Sequence, residues 1–275
     1  MLLAWNGGDY NSMSVQVLVA SMFQKDFELP KRMNLCSDAV IGNQCDKDSI
    51  DEIEYKNFKI KYINRAERGV GLNRNNALKN ATSDVCVLAD DDMVFYDNYV
   101  EIVEEAFKKN KKADFLIFNI DEKQGGERRI NNKVKKVNLL NYMNYGAARF
   151  AFRRESVVNK NILFNLDFGG GTPHSCGEDS LFLRDCLSKK LKIFTVPCSL
   201  AYLSDNREST WFKGYDEKYF YDKGYFLGTA HPRIGKLFAY LLVYRHREYV
   251  NDSKFSRKEI IRFISNGIKD AKKNK

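Results

Sequence analysis

Three consecutive aspartates, Asp90, Asp91 and Asp92, follow the apolar run Val85-Cys86-Val87-Leu88-Ala89. A short run of β-branched and aliphatic side chains reads as a buried strand, so the three carboxylates emerge together where that strand stops. Like charges so placed repel one another unless something positive lies among them. A hard divalent cation meets that need, because it takes oxygen ligands and leaves positions open for phosphate. The competing reading is a cap on the following helix, predicted over residues 97–109, whose N-terminus favours negative charge. Met93-Val94-Phe95-Tyr96 separates the triplet from that helix and leaves Asp97 or Asn98 as its natural cap.

A second acidic pair, Glu178 and Asp179, follows the glycine triplet Gly169-Gly170-Gly171 and precedes residues 180–189, whose apolar spacing is helical. A flexible loop thus delivers two carboxylates to a helix start. One carboxylate within reach of a substrate hydroxyl can take its proton, worth about 10²- to 10⁴-fold in rate. A cation at the other acidic site would neutralise a phosphate leaving group. Favourable placement on the helix dipole is the plainer alternative for this pair. Between the two sites lies Arg68-Gly69-Val70-Gly71-Leu72-Asn73-Arg74-Asn75-Asn76-Ala77-Leu78. Glycines at a helix entrance, with amide and guanidinium groups in its first turns, suit a nucleotide phosphate or base.

Strands predicted at 15–20, 39–42, 58–63, 85–89 and 115–120 alternate with helices at 72–81 and from about 98. Such alternation argues for an α/β fold with a largely parallel sheet covered on both faces, and ligands bind outside the carboxyl ends of such strands. The second half is less regular. Strands are expected at 147–153 and 193–196, and aromatic residues crowd the stretch 211–226.

At 275 residues and 44% hydrophobic composition, one domain over 1–230 with a helical C-terminal extension over 231–275 is the simplest organisation. The six cysteines form no CxxC pair and read as reduced core residues of a cytosolic protein. The first residues lack the basic start of a signal peptide, and no apolar run approaches the roughly 20 residues that span a bilayer. Of the net charge of +9, residues 231–275 carry +8, from 12 Lys and Arg against 4 Asp and Glu. The body is therefore nearly neutral, which argues against a nucleic-acid partner. A basic tail beside the apolar run Leu237-Phe238-Ala239-Tyr240-Leu241-Leu242-Val243-Tyr244 points to an anionic membrane surface, and so to a cytoplasmic protein peripheral on the inner face of the cell membrane. The alternative is a helix docked on the domain and followed by a solvated, charged end.

Taken in order, Arg68-Gly69, Asn73-Arg74-Asn75-Asn76-Ala77-Leu78, Val87-Leu88-Ala89-Asp90-Asp91-Asp92 and Gly177-Glu178-Asp179 resemble glycosyltransferase family 2, the inverting family with a GT-A fold. More narrowly, the chain is similar to bacterial enzymes that assemble capsular or other surface polysaccharides. The resemblance covers about residues 15–196. It implies a Rossmann-like sheet with flanking helices, and transfer of a hexose or N-acetylhexosamine from a nucleotide-sugar, in the first instance a UDP-sugar, to a saccharide or lipid-linked acceptor. It also implies Mn²⁺ or Mg²⁺ as cofactor. Asp90 and Asp92 match the ends of the family's Asp-x-Asp, which holds the nucleotide and the metal, with Asp91 between them on the nucleotide-sugar. Asp179 matches the catalytic base, and Glu178 would orient it or contact the acceptor. Asp46 matches the acidic position that reads the nucleobase, and Arg74 the basic residue facing the nucleotide. Arg68, Gly69 and Asn73 fall on the same donor side. Trp211 is a candidate for stacking on the acceptor sugar, and His231 for a late metal ligand. The segment Ala20-Ser21-Met22-Phe23-Gln24 departs from the family's usual proline, hydroxyl residue and asparagine. A sugar-phosphate nucleotidyltransferase would carry a Gly-rich loop here after the first strand, and none is present. A non-catalytic basic module binding membrane or nucleic acid would leave both acidic sites unexplained.

Overall fold

The apolar runs build one mixed sheet, described in a computed structural model that covers residues 13–122, 130–204 and 214–274. Its first half comprises β1 (Val15–Met22), α1 (Leu29–Arg32), β2 (Asp38–Gln44), β3 (Ser49–Tyr55), β4 (Phe58–Arg65), α2 (Val70–Lys79), β5 (Val85–Asp90), β6 (Met93–Phe95) and α3 (Tyr99–Lys109). There follow β7 (Phe115–Asp121), β8 (Lys135–Lys136), β9 (Phe150–Arg153), α4 (Arg154–Val158), α5 (Glu178–Ser188) and β10 (Ile193–Leu203). The strand order is β3-β4-β2-β1-β5-β9-β7-β10-β6, with β8 also paired to β10. Strands β4, β2, β1 and β5 run parallel, whereas β9 is antiparallel to both β5 and β7.

From β1 the chain steps outward through β2 to β4, then returns to the other side of β1 at β5. This reversal opens a crevice at the carboxyl ends of β1 and β5, where ligands of such sheets bind. Asp90 is the last residue of β5, opposite Ala20 of β1. The strands are buried on both faces. Val17, Val19, Ile41, Val87 and Ala89 share one core with Tyr99, Val103 and Phe107 of α3. Leu18, Val40, Ile63 and Leu88 share the other with Ala77 and Leu78 of α2 and Phe182 of α5.

Four helices close the chain: α6 (Glu217–Ala230), α7 (Gly235–Arg245), α8 (Glu248–Asn251) and α9 (Arg257–Lys273). Of the aromatic stretch 211–226, residues 217–226 fall in α6, whose Phe220, Phe226 and Leu227 join Ile260, Phe263, Ile264 and Ile268 of α9 in a third core. Gly224 and Gly267 lie at that contact, and a Cβ on either would collide with the facing backbone of Ile264 or Tyr221. The helical unit therefore packs as one piece from α6 onward, across the 230/231 boundary drawn from the charge distribution. Its last helix is amphipathic and opens with a capping box between Ser256 and Glu259. No helix among the described residues is long and apolar enough to cross a membrane.

Candidate active site

Arg74, the fifth residue of α2, is buried to 6% exposure and joins three carboxylates. Its Nη2 donates to Asp90 Oδ1 at 3.0 Å, and its Nη1 to Asp179 Oδ1 at 2.8 Å and Glu178 Oε1 at 3.3 Å. The guanidinium lies 5.4 Å from the Phe164 ring centre. Burial alone would make the guanidinium easier to deprotonate, but the charges of Asp179, Asp90 and Glu178 outweigh it and hold the group charged. This is a different engagement from the nucleotide contact that the family resemblance implies for Arg74. A planar fork suits it, since an ammonium could not reach three acids at fixed angles.

The two glycine segments of the sequence meet to make this bridge. Gly69, at φ +126°, precedes α2, and Val70 N donates to Gly170 O at 2.9 Å. Gly169, at φ +99°, has no room for a Cβ because Val70 and Glu178 fill the space. A residue with a side chain would be strained there twice over, by conformation and by contact. Farther along the loop, buried Asp222 of α6 accepts from Ser175 N and Oγ at 3.1 Å each, and from Lys218 Nζ at 2.6 Å. Its other oxygen pairs with His174 Nδ1 at 2.9 Å. The loop is thus held at both ends before it opens α5.

At the start of α5, Asp179 and Glu178 have separate environments. Asp179 is partly exposed, and its second oxygen accepts from Ala147 N at 2.9 Å, so two donors orient it while lone pairs stay available to a substrate. Glu178 is turned inward, accepting from Gly177 N at 3.1 Å as well as from Arg74. Burial, reinforced by the charge of Asp179, pushes the Glu178 carboxyl up to about 8. Its two oxygens face Arg74 and Gly177, so it braces the bridge from the protein side while Asp179 stays partly exposed. Between the ordinary carboxylate range and about pH 8, the folded chain holds a proton that the unfolded chain releases, so stability falls as pH rises through that window. Glu178→Gln should remove this part of the slope. Urea midpoints across the window check it, and an unchanged slope would assign the titration to another group.

The residues expected on the donor side lie along the ends of β1, β2 and β4. Arg68 Nη2 donates to Asp46 Oδ1 at 2.7 Å, and the guanidinium stands 4.9 Å from the Phe23 ring centre. A cavity of about 400 Å³ opens beside them, lined by Phe23, Gln24, Asn43, Asp46, Tyr62 and Asn64. Asn43 Nδ2 donates to Asn64 Oδ1 at 2.7 Å, and Gln24 Nε2 to Asp91 Oδ2 at 3.1 Å. The segment that departs from the family pattern therefore supplies two walls of the cavity. Two expected donor contacts are turned into the protein instead. Gly69 N donates to Gln44 Oε1 at 2.7 Å, and Asn73 is buried, its Nδ2 donating to Ser21 O at 3.4 Å.

Asp92 follows β5 and is fixed through its backbone, its carbonyl accepting from Ser204 N at 2.8 Å. Asp90 and Asp92 offer oxygen ligands only, which fits Mn²⁺ or Mg²⁺. Among the described residues no three His, Cys, Asp or Glu side chains gather as a metal-binding group. Two carboxylates would thus need phosphate oxygens of a substrate to complete the shell. His231 gives the metal reading no support: it caps the end of α6, and its Nε2 meets Tyr142 Oη at 2.8 Å. Burial also lowers its affinity for a proton. Trp211 lies outside the described residues. Nothing in the local sequence marks the backbone of Ala147 or the side chains of Gln44 and Asp222, whereas Gln24 lies in the segment that departs from the family pattern.

Comparison with known proteins bears on the family and the fold. The model of glycosyl transferase family 2 matches residues 40–188, more than half of the chain. No curated protein sequence matches. Among solved structures, S. aureus TarS 1–349 in complex with UDP aligns with a TM-score of 0.59 at 14% identity, over 94% of this chain and 83% of that one. The same portion in complex with UDP-GlcNAc gives 0.57 at 13% identity, over 93% and 72%. A further S. aureus TarS structure gives 0.57 at 15% identity, over 90% of this chain but 44% of that one. At such low identity these neighbours bear on the fold, which is GT-A-like. The family match sets aside both the nucleotidyltransferase and the non-catalytic basic module. The chain belongs to glycosyl transferase family 2 and is a glycosyltransferase.

Proposed function

We propose that the enzyme is metal-dependent and inverting, and that it moves a hexose or N-acetylhexosamine from a UDP-sugar to a saccharide or lipid-linked acceptor in surface polysaccharide synthesis, at the cytoplasmic face of the cell membrane. The observation that carries this reading is the Arg74 bridge, which sets Asp90 at a strand end beside Asp179 at a helix start. The donor's diphosphate belongs at the first and the acceptor's hydroxyl at the second. The cavity lined by Phe23, Asn43 and Asp46 suits a nucleobase, with Asp46 and Arg68 at its mouth. Uridine is the nucleoside proposed because the TarS neighbours are complexes with UDP and UDP-GlcNAc.

In the displacement, the acceptor oxygen bonds to the anomeric carbon while its proton passes to the Asp179 carboxylate. The bond from that carbon to the diphosphate oxygen breaks, its electron pair leaves on UDP, and the configuration inverts. Orientation of Asp179 by Arg74 and Ala147 places the base before substrate arrives, which is where much of the rate advantage arises. Asp90 and Asp92 would hold Mn²⁺ or Mg²⁺, whose chemistry is to neutralise the leaving diphosphate.

Incubation with a panel of labelled UDP-sugars and Mn²⁺ should give slow donor hydrolysis for at least one sugar. No turnover and no binding of any UDP-sugar would overturn the donor reading. UDP should bind more tightly with Mn²⁺ or Mg²⁺ present, and Asp92→Ala should abolish that difference in calorimetry. A folded Asp92→Ala protein that keeps its metal-dependent affinity would move the ion to other ligands.

A further inference from the structure

Helix α7 divides its apolar residues between two sides. Gly235, Ala239 and Val243 are buried in the helical unit, whereas Leu237, Leu241 and Tyr244 stand 60%, 56% and 63% exposed, with Tyr240 and Ile234 about half exposed. Positions 234, 237, 241 and 244, with 240 beside them, form one face of a helix. Single apolar side chains on a surface need no explanation, but a contiguous stripe marks an interaction site.

The setting of this stripe is basic. Arg233, Lys236, Arg245 and Arg247 flank it in sequence, and Arg257, opening α9, places its guanidinium 5.4 Å from the Tyr244 ring centre. Nearby acids are few: Glu248 is engaged by His246 Nδ1 at 2.5 Å, and Asp252 ends α8. The occupant must therefore be apolar and anionic together. A second copy of this chain would bring the same cations against these, since a two-fold contact sets one patch on itself. An anionic bilayer meets both demands, with tyrosines at headgroup depth and leucines at the acyl boundary.

The stripe also lies near the acceptor side. The hydrogen bond from Tyr142 to His231, just before α7, ties in the turn Tyr142–Asn144, around which Leu139, Leu140 and Met143 are exposed, Leu140 to 86%. Three residues beyond that turn, Ala147 N holds Asp179. We infer that α7 lies flat on an anionic bilayer through Ile234, Leu237, Tyr240, Leu241 and Tyr244, and so turns the Asp179 side of the site toward an acceptor carried by lipid. The second half of this statement rests on the proposed lipid-linked acceptor, whereas the docking itself does not.

The test is co-sedimentation of the full chain with vesicles of phosphatidylcholine, with and without phosphatidylglycerol. Binding should require phosphatidylglycerol and weaken with salt, as charges are screened beyond roughly 8 Å at physiological ionic strength. The double variant Leu237→Gln/Leu241→Gln should bind about tenfold more weakly or worse, with melting temperature and UDP-sugar hydrolysis unchanged. Replacing Arg233, Lys236, Arg247 and Arg257 by Gln should do the same by removing charge beside the stripe. Equal pelleting of the leucine variant and the unmodified protein would overturn the proposal. So would light scattering that shows a dimer which the leucine variant abolishes, with no vesicle binding by either. Failure of UDP-sugar hydrolysis in the unmodified protein would instead tell against the proposed donor alone.

Discussion

Asp179→Asn should lose about 10²-fold or more in sugar transfer while keeping its affinity for UDP and the donor. The carboxylate is held by donors on both oxygens, Arg74 on one and Ala147 N on the other, and it is partly exposed at the start of α5. An amide keeps the size but cannot take the proton. It also has a single acceptor oxygen, so one of the two donors loses its partner, at a cost of about 1–3 kcal/mol in stability. Single-turnover transfer, with donor affinity measured separately, checks the result. A rate loss under roughly tenfold would mean that another residue is the base.

Arg74→Met should have the largest effect on stability, about 3–5 kcal/mol, because it leaves the carboxylates of Asp90, Glu178 and Asp179 facing one another with no cation among them. Arg74→Lys should recover only part of this, since an ammonium cannot serve three acids through a planar fork. The deficit should shrink as pH falls, because protonation relieves the repulsion. Denaturant midpoints of both variants at acid and neutral pH check this. A loss under about 1 kcal/mol for Arg74→Met would show that water or rearrangement compensates the acids, and that the bridge does not hold the site together.

The parts of this architecture that were legible in the sequence are those with local signatures. Strand β5 was visible because five apolar residues end in three acids, and α5 because a Gly-rich loop leads to two acids and a helical pattern. What escaped depended on partners far along the chain. Met93-Val94-Phe95 reads as a spacer, yet it forms β6 because Leu203 and its neighbours in β10 lie alongside. The strand expected over 147–153 begins only at Phe150, since Ala147–Arg149 makes a 3₁₀ turn that aims a backbone N–H at Asp179. Edge strand β3 alternates between half-covered and exposed residues and so lacks a strong apolar run. Arg74 was singled out, but its role was not, because two of its three partners are 104 and 105 positions away.

That separation has a kinetic meaning. The sheet from β1 to β5 closes through neighbouring segments, whereas the acidic site is complete only when α5 returns to α2 across more than a hundred residues. Contacts of such range are slow to form, because chain entropy must be lost before they contribute anything. During refolding from urea, helical and sheet signals should therefore return before transfer activity does. Until the loop at Gly170 has settled against Val70, the acids stay apart, and a newly made chain is a folded sheet that cannot yet transfer sugar.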